Sequence, residues 1–279
     1  MSSPVTRIRQ LKLMLFTLAW AATLNIQGQE LSSAPDLDSF PTVRIYTDSL
    51  YDSPQRITLI RLNKVDLDTY RIELAYHASK LQKTSQFALQ NKALAAINGS
   101  FFDMKEGGSV CYLEKGDSVI SFTRPDTLKW AVPDSLANGA IVLTKENKLH
   151  ISRLRTDQYF VESVQEKFVL LSGPLLIHRS LAQELPDMAF SHKRHPRSCL
   201  GITEESLIFI TVDGRSAQAA GMNLFELQEY LLDMGCTEAI NLDGGGSTTL
   251  WTRSMGVVNV PSDSGGERSV ANALIIVKN

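Results

Sequence analysis

Short apolar runs rich in β-branched and aromatic residues, each stopped by Gly, Pro, Asn or Asp, recur along this chain and restrict its fold more than any other feature. Residues 57–62, 70–76, 93–97, 168–171, 175–178, 207–212, 239–242 and 270–277 have the length and composition of strands. A polar turn between the first two predicts a hairpin. Lys115-Gly116-Asp117 predicts another within 109–123, and Glu146-Asn147 a third within 139–152. Ser172-Gly173-Pro174 is a breaker, residues 181–192 read as irregular, and the Ser-, Pro- and Asp-rich stretch 30–55 reads as a linker or edge segment. Two helices interrupt the strands. One spans 81–92, with Leu81, Ala88 and Leu89 on one side. The other spans 224–234, where Leu224, Leu227, Leu231 and Met234 share a face, Asn223 caps the start and Gly235 ends it. Strand, helix and strand over 207–242 suggest a parallel βαβ element. The prediction is an α+β fold: a mixed, largely antiparallel sheet with packed helices in a single domain.

The N-terminus reads differently. Arg7, Arg9 and Lys12 precede an apolar run over 13–24, the pattern of an export signal and too short for a membrane span. Residues 1–28 are therefore expected to be a signal peptide, 29–90 a linker and hairpin region, and 91–279 the main domain. A periplasmic or secreted protein with no stable membrane span after cleavage follows. The formal net charge of -2 gives no global field for nucleic acid, so an anionic ligand must be met by local Arg or His. Cys111, Cys199 and Cys236 are odd in number and form no CxxC pair, which speaks against structural zinc; small buried hydrophobes are the expected role for Cys199 and Cys236.

Polar residues cluster where apolar runs end, which is where rigid scaffolds carry sites. Asn98-Gly99-Ser100-Phe101-Phe102 offers an amide to orient a hydroxyl and aromatics to line a sugar-sized pocket. His195-Pro196-Arg197-Ser198 offers a proton carrier and a planar guanidinium for phosphate. Val212-Asp213-Gly214-Arg215 closes a strand with a carboxylate and a cation. Asn241-Leu242-Asp243-Gly244-Gly245-Gly246-Ser247-Thr248 follows a tight apolar strand. Its successive glycines let amides form an anion-binding nest, and no Lys follows, so it is not a Walker loop.

Together, in this order, the four segments resemble the phosphodiester glycosidase family, and the closing stretch 268–274 is similar to that family's end. The resemblance covers residues 90–279 and is weak before them. It implies hydrolysis of a sugar-1-phosphodiester at the glycosidic carbon–oxygen bond, with N-acetylglucosamine as one candidate sugar. It implies a site lined by Asn98, His195, Arg197, Asp213, Arg215, Asp243, Gly244, Ser247 and Asn272, with Glu226 as a helix-borne carboxylate.

Chemically, Arg197, Arg215 and the amides of Gly244, Gly245 and Gly246 suit the departing phosphate. Asp243, Asp213 and then Glu226 are the carboxylate candidates for the oxocarbenium-like carbon, and His195 is the proton carrier. Phe101, Ser247 and Asn272 are expected to touch substrate. No cofactor is certain from the sequence, and Asp213, Glu226 and Asp243 offer oxygens to calcium or magnesium. Two alternatives stand beside this reading: a non-catalytic carbohydrate-binding envelope protein on the same fold, and a phosphodiesterase cutting the phosphorus–oxygen bond, which usually recruits a two-metal cluster.

Overall fold

The computed structural model describes residues 41–279, so the expected signal segment lies outside the described residues. Most of the apolar runs form strands as expected, and they gather into three large sheets, with a two-stranded ribbon of Gln82–Lys83 and Ser269–Val270 beside them. The widest is ordered Thr42–Leu50, Ser53–Asn63, Ser206–Val212, Arg197–Ile202, Glu238–Asn241, Leu175–His178 and Leu181–Ala182. A second runs Gly256–Val257, Leu250–Thr252, Ala95–Asn98, Asn272–Lys278 and Tyr70–Tyr76. The third runs Ser118–Ser121, Leu113–Lys115, Glu166–Ser172, Gly139–Thr144 and Leu149–Arg153.

Each sheet lays one face on a common core. Ile60, Phe209 and Ile240 come from the first, Leu74, Ile97 and Leu274 from the second, and Leu113, Ile141 and Phe168 from the third. The outer faces are covered as well. Ile57, Leu59 and Ile210 pack on Leu224, Leu227 and Leu231 of the Leu224–Asp233 helix. Ala75, Ala96 and Ile275 pack around Phe87 and Ala88 of the Thr84–Gln90 helix. Val142, Val169 and Tyr112 pack on Phe160 of the Asp157–Glu162 helix. Strands buried on both faces lose polar alternation, which is why they read as continuous apolar runs.

The structure corrects several expectations. Every strand pairing among the described residues is antiparallel, so the sheets are not mixed, and the fold is sheet-dominated, with four short helices. The 207–242 unit is a split βαβ: the Ser206–Val212 and Glu238–Asn241 strands run the same way, but Arg197–Ile202 lies between them, antiparallel to both. The predicted hairpin of 57–62 with 70–76 does not form. Ser53–Asn63 pairs with Thr42–Leu50 and Ser206–Val212, while Tyr70–Tyr76 pairs with Asn272–Lys278 in another sheet.

Within 30–55, the edge reading holds from Thr42 onward. A tight turn at Tyr51-Asp52, both with φ 55, joins two strands in full register, so residues 41–90 belong to the same body as the rest rather than to a separate linker. The first helix is shorter than 81–92, and Phe87, not Leu89, anchors it, since Leu89 is 64% exposed. The other two predicted hairpins form as read, and the stretch 181–192 holds only a two-residue strand and a one-turn helix, Ala189–His192. No helix among the described residues is long and apolar enough to cross a membrane.

Candidate active site

The four motif segments converge where strands of the first two sheets end. Asn98 is the knot. Its Nδ2 donates to the Asp243 carbonyl at 2.7 Å, and its Oδ1 accepts from the Ser198 hydroxyl at 2.6 Å and the Thr249 amide at 3.0 Å. It is wholly buried, so it joins the motifs to one another and does not orient a substrate hydroxyl. A second tie is the Asp243 amide, which donates to the Gly99 carbonyl at 2.9 Å.

The His-Pro-Arg segment is gripped from both sides. His195 exchanges backbone hydrogen bonds with Met222, and the Gly245 amide donates to the Pro196 carbonyl at 2.9 Å. Gly244 is required by contact, because a Cβ there would lie 2.7 Å from the Pro196 oxygen. Gly245 adopts φ 62, a left-handed backbone open to glycine, and the Arg215 guanidinium lies directly over it.

Three basic side chains meet here with different commitments. Arg197, 1% exposed, gives Nε to the Met222 carbonyl at 2.9 Å and Nη2 to the carbonyls of Phe190 and Lys193, over the Phe190 ring. It is thereby a scaffold bolt and not an open phosphate fork. Burial, with Arg215 nearby, brings its pKa down to about 10. Arg215 is exposed, with a left-handed φ of 64, and has no hydrogen-bond or carboxylate partner among the described residues. His195 is half-buried; burial first, then Arg197, Arg215 and Lys193, depress its pKa, so it is neutral at neutral pH.

The carboxylates separate as clearly. Asp243 stays partly open at the mouth of the glycine loop. Burial pushes its pKa up to about 6 against the opposing pull of Ser247, Arg268 and the Gly244 amide. Its Oδ1 accepts from that amide at 3.0 Å. Asp213 is 2% exposed and saturated: Oδ2 faces Arg56 at 2.8 Å, and the Val260 amide and Asn259 donate to Oδ1. Burial still holds its pKa above the ordinary value. Glu226 is the N3 partner of a capping box with Asn223 and receives Arg194 on both oxygens. Asp213 and Glu226 are thus built into the walls, each committed to its own partners.

The calcium or magnesium set read from the sequence therefore does not assemble. No group of three or more His, Cys, Asp or Glu among the described residues is arranged to hold a metal ion. Phe101 and Phe102 are 8% and 6% exposed, and Phe101 packs edge-on against Phe190, so they support the floor and do not line a pocket. Asn272 is buried, accepts from the Ser100 amide at 2.7 Å and leaves its Nδ2 unpartnered. The buried hydroxyls of Ser247, Thr248 and Thr249 also lack partners in hydrogen-bond geometry. Unsatisfied groups clustered so closely mark a site built for a polar ligand.

Two residues escaped the sequence reading of the site. Arg268 and Asp263, paired at 2.8 Å, close over Gly246, and Arg268 acts on Asp243. Arg268 opens the closing segment that carried the resemblance, which was the available signal; nothing in the sequence pointed to Asp263. Two surface hollows, one around Lys115 and Lys167 and one around Thr203 and Thr237, lie away from this cluster.

Comparison with known proteins agrees with this geometry. Residues 91–277 match the phosphodiester glycosidase family. A prophage-derived uncharacterized protein YomE of Bacillus subtilis is 36% identical over 84 residues, 30% of this chain and 13% of that protein. The N-acetylglucosamine-1-phosphodiester alpha-N-acetylglucosaminidase of Bos taurus is 29% identical over 196 residues, 67% of this chain. The chain spans only 36% of that bovine protein's length. In three dimensions it follows the catalytic domain of the zebrafish enzyme of the same name, auto-inhibited by its pro-peptide, with TM-score 0.66 and 20% identity over 90% of this chain and 87% of that one. With its four motifs drawn into one cluster and the family matched from residue 91 to 277, the chain belongs to the phosphodiester glycosidase family.

Proposed function

We propose that this protein is an exported hydrolase that cleaves the glycosidic carbon–oxygen bond of a sugar-1-phosphodiester. The observation that carries the reading is the glycine loop itself, which begins at the partly open carboxylate of Asp243 and has the uncommitted guanidinium of Arg215 over Gly245. The phosphate binds between Arg215, the amides of the glycine loop and neutral His195. Negative charge arriving there favours protonation of His195, which then donates to the departing oxygen. The Asp243 carboxylate faces the anomeric carbon and stabilises its developing positive charge. Arg197, Asp213, Glu226 and Asn98 hold these groups in place. The name of the bovine relative supports N-acetylglucosamine as the sugar. The basic and apolar start of the chain supports export to the periplasm or beyond, where envelope glycans carry such diesters.

The test is hydrolysis of UDP-N-acetylglucosamine and of a simple N-acetylglucosamine-1-phosphodiester in ¹⁸O-labelled water, with Asp243→Asn alongside. Free sugar carrying the label, from the wild type only, is the expected result. Label on phosphate would instead place the cut at phosphorus, and sugar release by the variant would remove Asp243 from the chemistry.

A further inference from the structure

Two guanidinium groups stand over neighbouring residues of the glycine loop. A Cβ built on Gly245 would lie 2.9 Å from Arg215 Nη2, and one built on Gly246 would overlap both Arg268 Nη2 and Asp263 Oδ1. Adjacent Cα atoms are about 3.8 Å apart, so the two cations attend one short stretch of backbone. Arg268 also reaches Asp243, drawing its carboxyl pKa down against the effect of burial. Their partners set the two apart. Arg215 has no carboxylate partner among the described residues. Arg268 is gripped by Asp263 as a fork, Nε to Oδ2 at 2.8 Å and Nη2 to Oδ1 at 3.0 Å. The pair is open to its surroundings, with the two side chains 26% and 33% exposed.

The two ends of the pair are held differently. Arg268 lies between anchors. Glu267 accepts from the Ser85 amide at 2.7 Å and the Ser85 hydroxyl at 2.6 Å, at the start of the Thr84–Gln90 helix, and Ser269–Val270 pairs with Gln82–Lys83. Asp263 opens a turn closed by one backbone bond, from the Gly266 amide to its own carbonyl at 2.9 Å. Gly265 and Gly266 follow, both facing open space, and Gly266 has φ 79. The hydroxyl of Ser262, on the other side of Asp263, is buried without a partner. Of the two, the carboxylate is the end that can yield.

Charge says what replaces it. A guanidinium fork that fits two carboxylate oxygens fits two phosphate oxygens as well. A phosphodiester carries one negative charge, and with the Asp243 carboxylate it balances Arg215 and Arg268. Asp263 is then a surplus anion, repelled by both.

We propose that Arg268 is a second phosphate ligand of the site and that Asp263 is its internal substitute, surrendering the guanidinium when the phosphodiester arrives. This rests on the glycosidase reading and names how that site admits its phosphate. Asp263 thereby weakens binding by what the Arg268 pair is worth.

The test titrates inorganic phosphate at pH 7 and low salt, followed by its ³¹P linewidth, against the full chain as wild type, Asp263→Asn, Arg268→Gln and the double variant. Phosphate is expected to bind Asp263→Asn about fivefold tighter than wild type, the strong end for an exposed pair. Arg268→Gln is expected to bind it at least about fivefold weaker, and the double variant to match Arg268→Gln. KM for UDP-N-acetylglucosamine is expected to fall in Asp263→Asn by the same factor. Arg268→Lys, which keeps the charge and loses the fork, is expected midway and asks the same question if the glutamine variant does not fold. Equal or weaker binding by Asp263→Asn overturns the proposal and makes Asp263 a support for Arg268. A gain that persists in the double variant overturns it as well, since simple repulsion then explains it, and so does wild-type binding by Arg268→Gln. The expected phosphate pattern in a protein that hydrolyses no diester sustains the exchange and removes the glycosidase reading; hydrolysis with phosphate binding alike in all variants does the opposite.

Discussion

Asp243 and Glu226 show how far a carboxylate's role depends on its neighbours. Asp243→Asn is expected to lower kcat/KM by at least about a hundredfold, read by sugar release. Its pKa of about 6 against an ordinary 3.8 also fixes the pH behaviour. Activity that needs the carboxylate falls as pH drops through about 6. Stability runs the other way. The folded state holds the extra proton, so this contribution is complete below the ordinary value and is lost as pH rises through the folded one. At pH 7 the ionised carboxylate therefore destabilises the fold by about 3 kcal/mol. Thermal melts are expected to show Asp243→Asn more stable than wild type at pH 7 and no more stable at pH 4.

Glu226→Ala is expected to do the reverse: about 1–2 kcal/mol lost in urea unfolding, with kcat within about threefold. The motifs made the residue types legible but not which of them had spare valence. Asp213 and Glu226 look as catalytic as Asp243 until Arg56 and Arg194 are seen to occupy them, and those partners lie 157 and 32 residues away.

Among the elements, the Leu224–Asp233 helix was the easiest to read because its determinants are local. Its apolar face and the Asn223 cap, which accepts the Glu226 amide at 2.9 Å, both lie within one short window. Asn223→Ala is expected to remove about 1 kcal/mol, measured by urea denaturation. Hairpins with short turns were legible for the same reason. Strand partners were not. Ser53–Asn63 is buried on both faces through its middle and Tyr70–Tyr76 alternates Arg71 and Glu73 with Ile72 and Leu74, but neither pattern says which strand lies alongside. The Tyr51-Asp52 turn was invisible because it uses a left-handed pair without glycine. The glycine loop is the element whose composition spoke most directly. Gly244→Ala is expected to reduce activity at least about tenfold while the helix signal in circular dichroism is kept, since its Cβ would push on the Pro196 carbonyl and move the His195 backbone.

Taken whole, the described residues form three large antiparallel sheets around one core, each backed by a helix, and one two-stranded ribbon. Its three cysteines are buried and unpaired, and burial raises the Cys111 and Cys236 thiols to about 12 and about 11. Ellman's reagent is expected to find no reactive thiol in the native protein and three after denaturation, with reductant leaving the melting temperature unchanged. The Asn98 knot has a further consequence at this scale. Its partners Ser198, Asp243 and Thr249 lie 100, 145 and 151 residues along the chain. No fragment holds a working half of the site, and no local opening leaves the rest of it intact. Turnover is thereby an all-or-none gauge of topology: a chain with one sheet out of register folds without a centre, and the molecule begins to act only when its last long-range contact has closed.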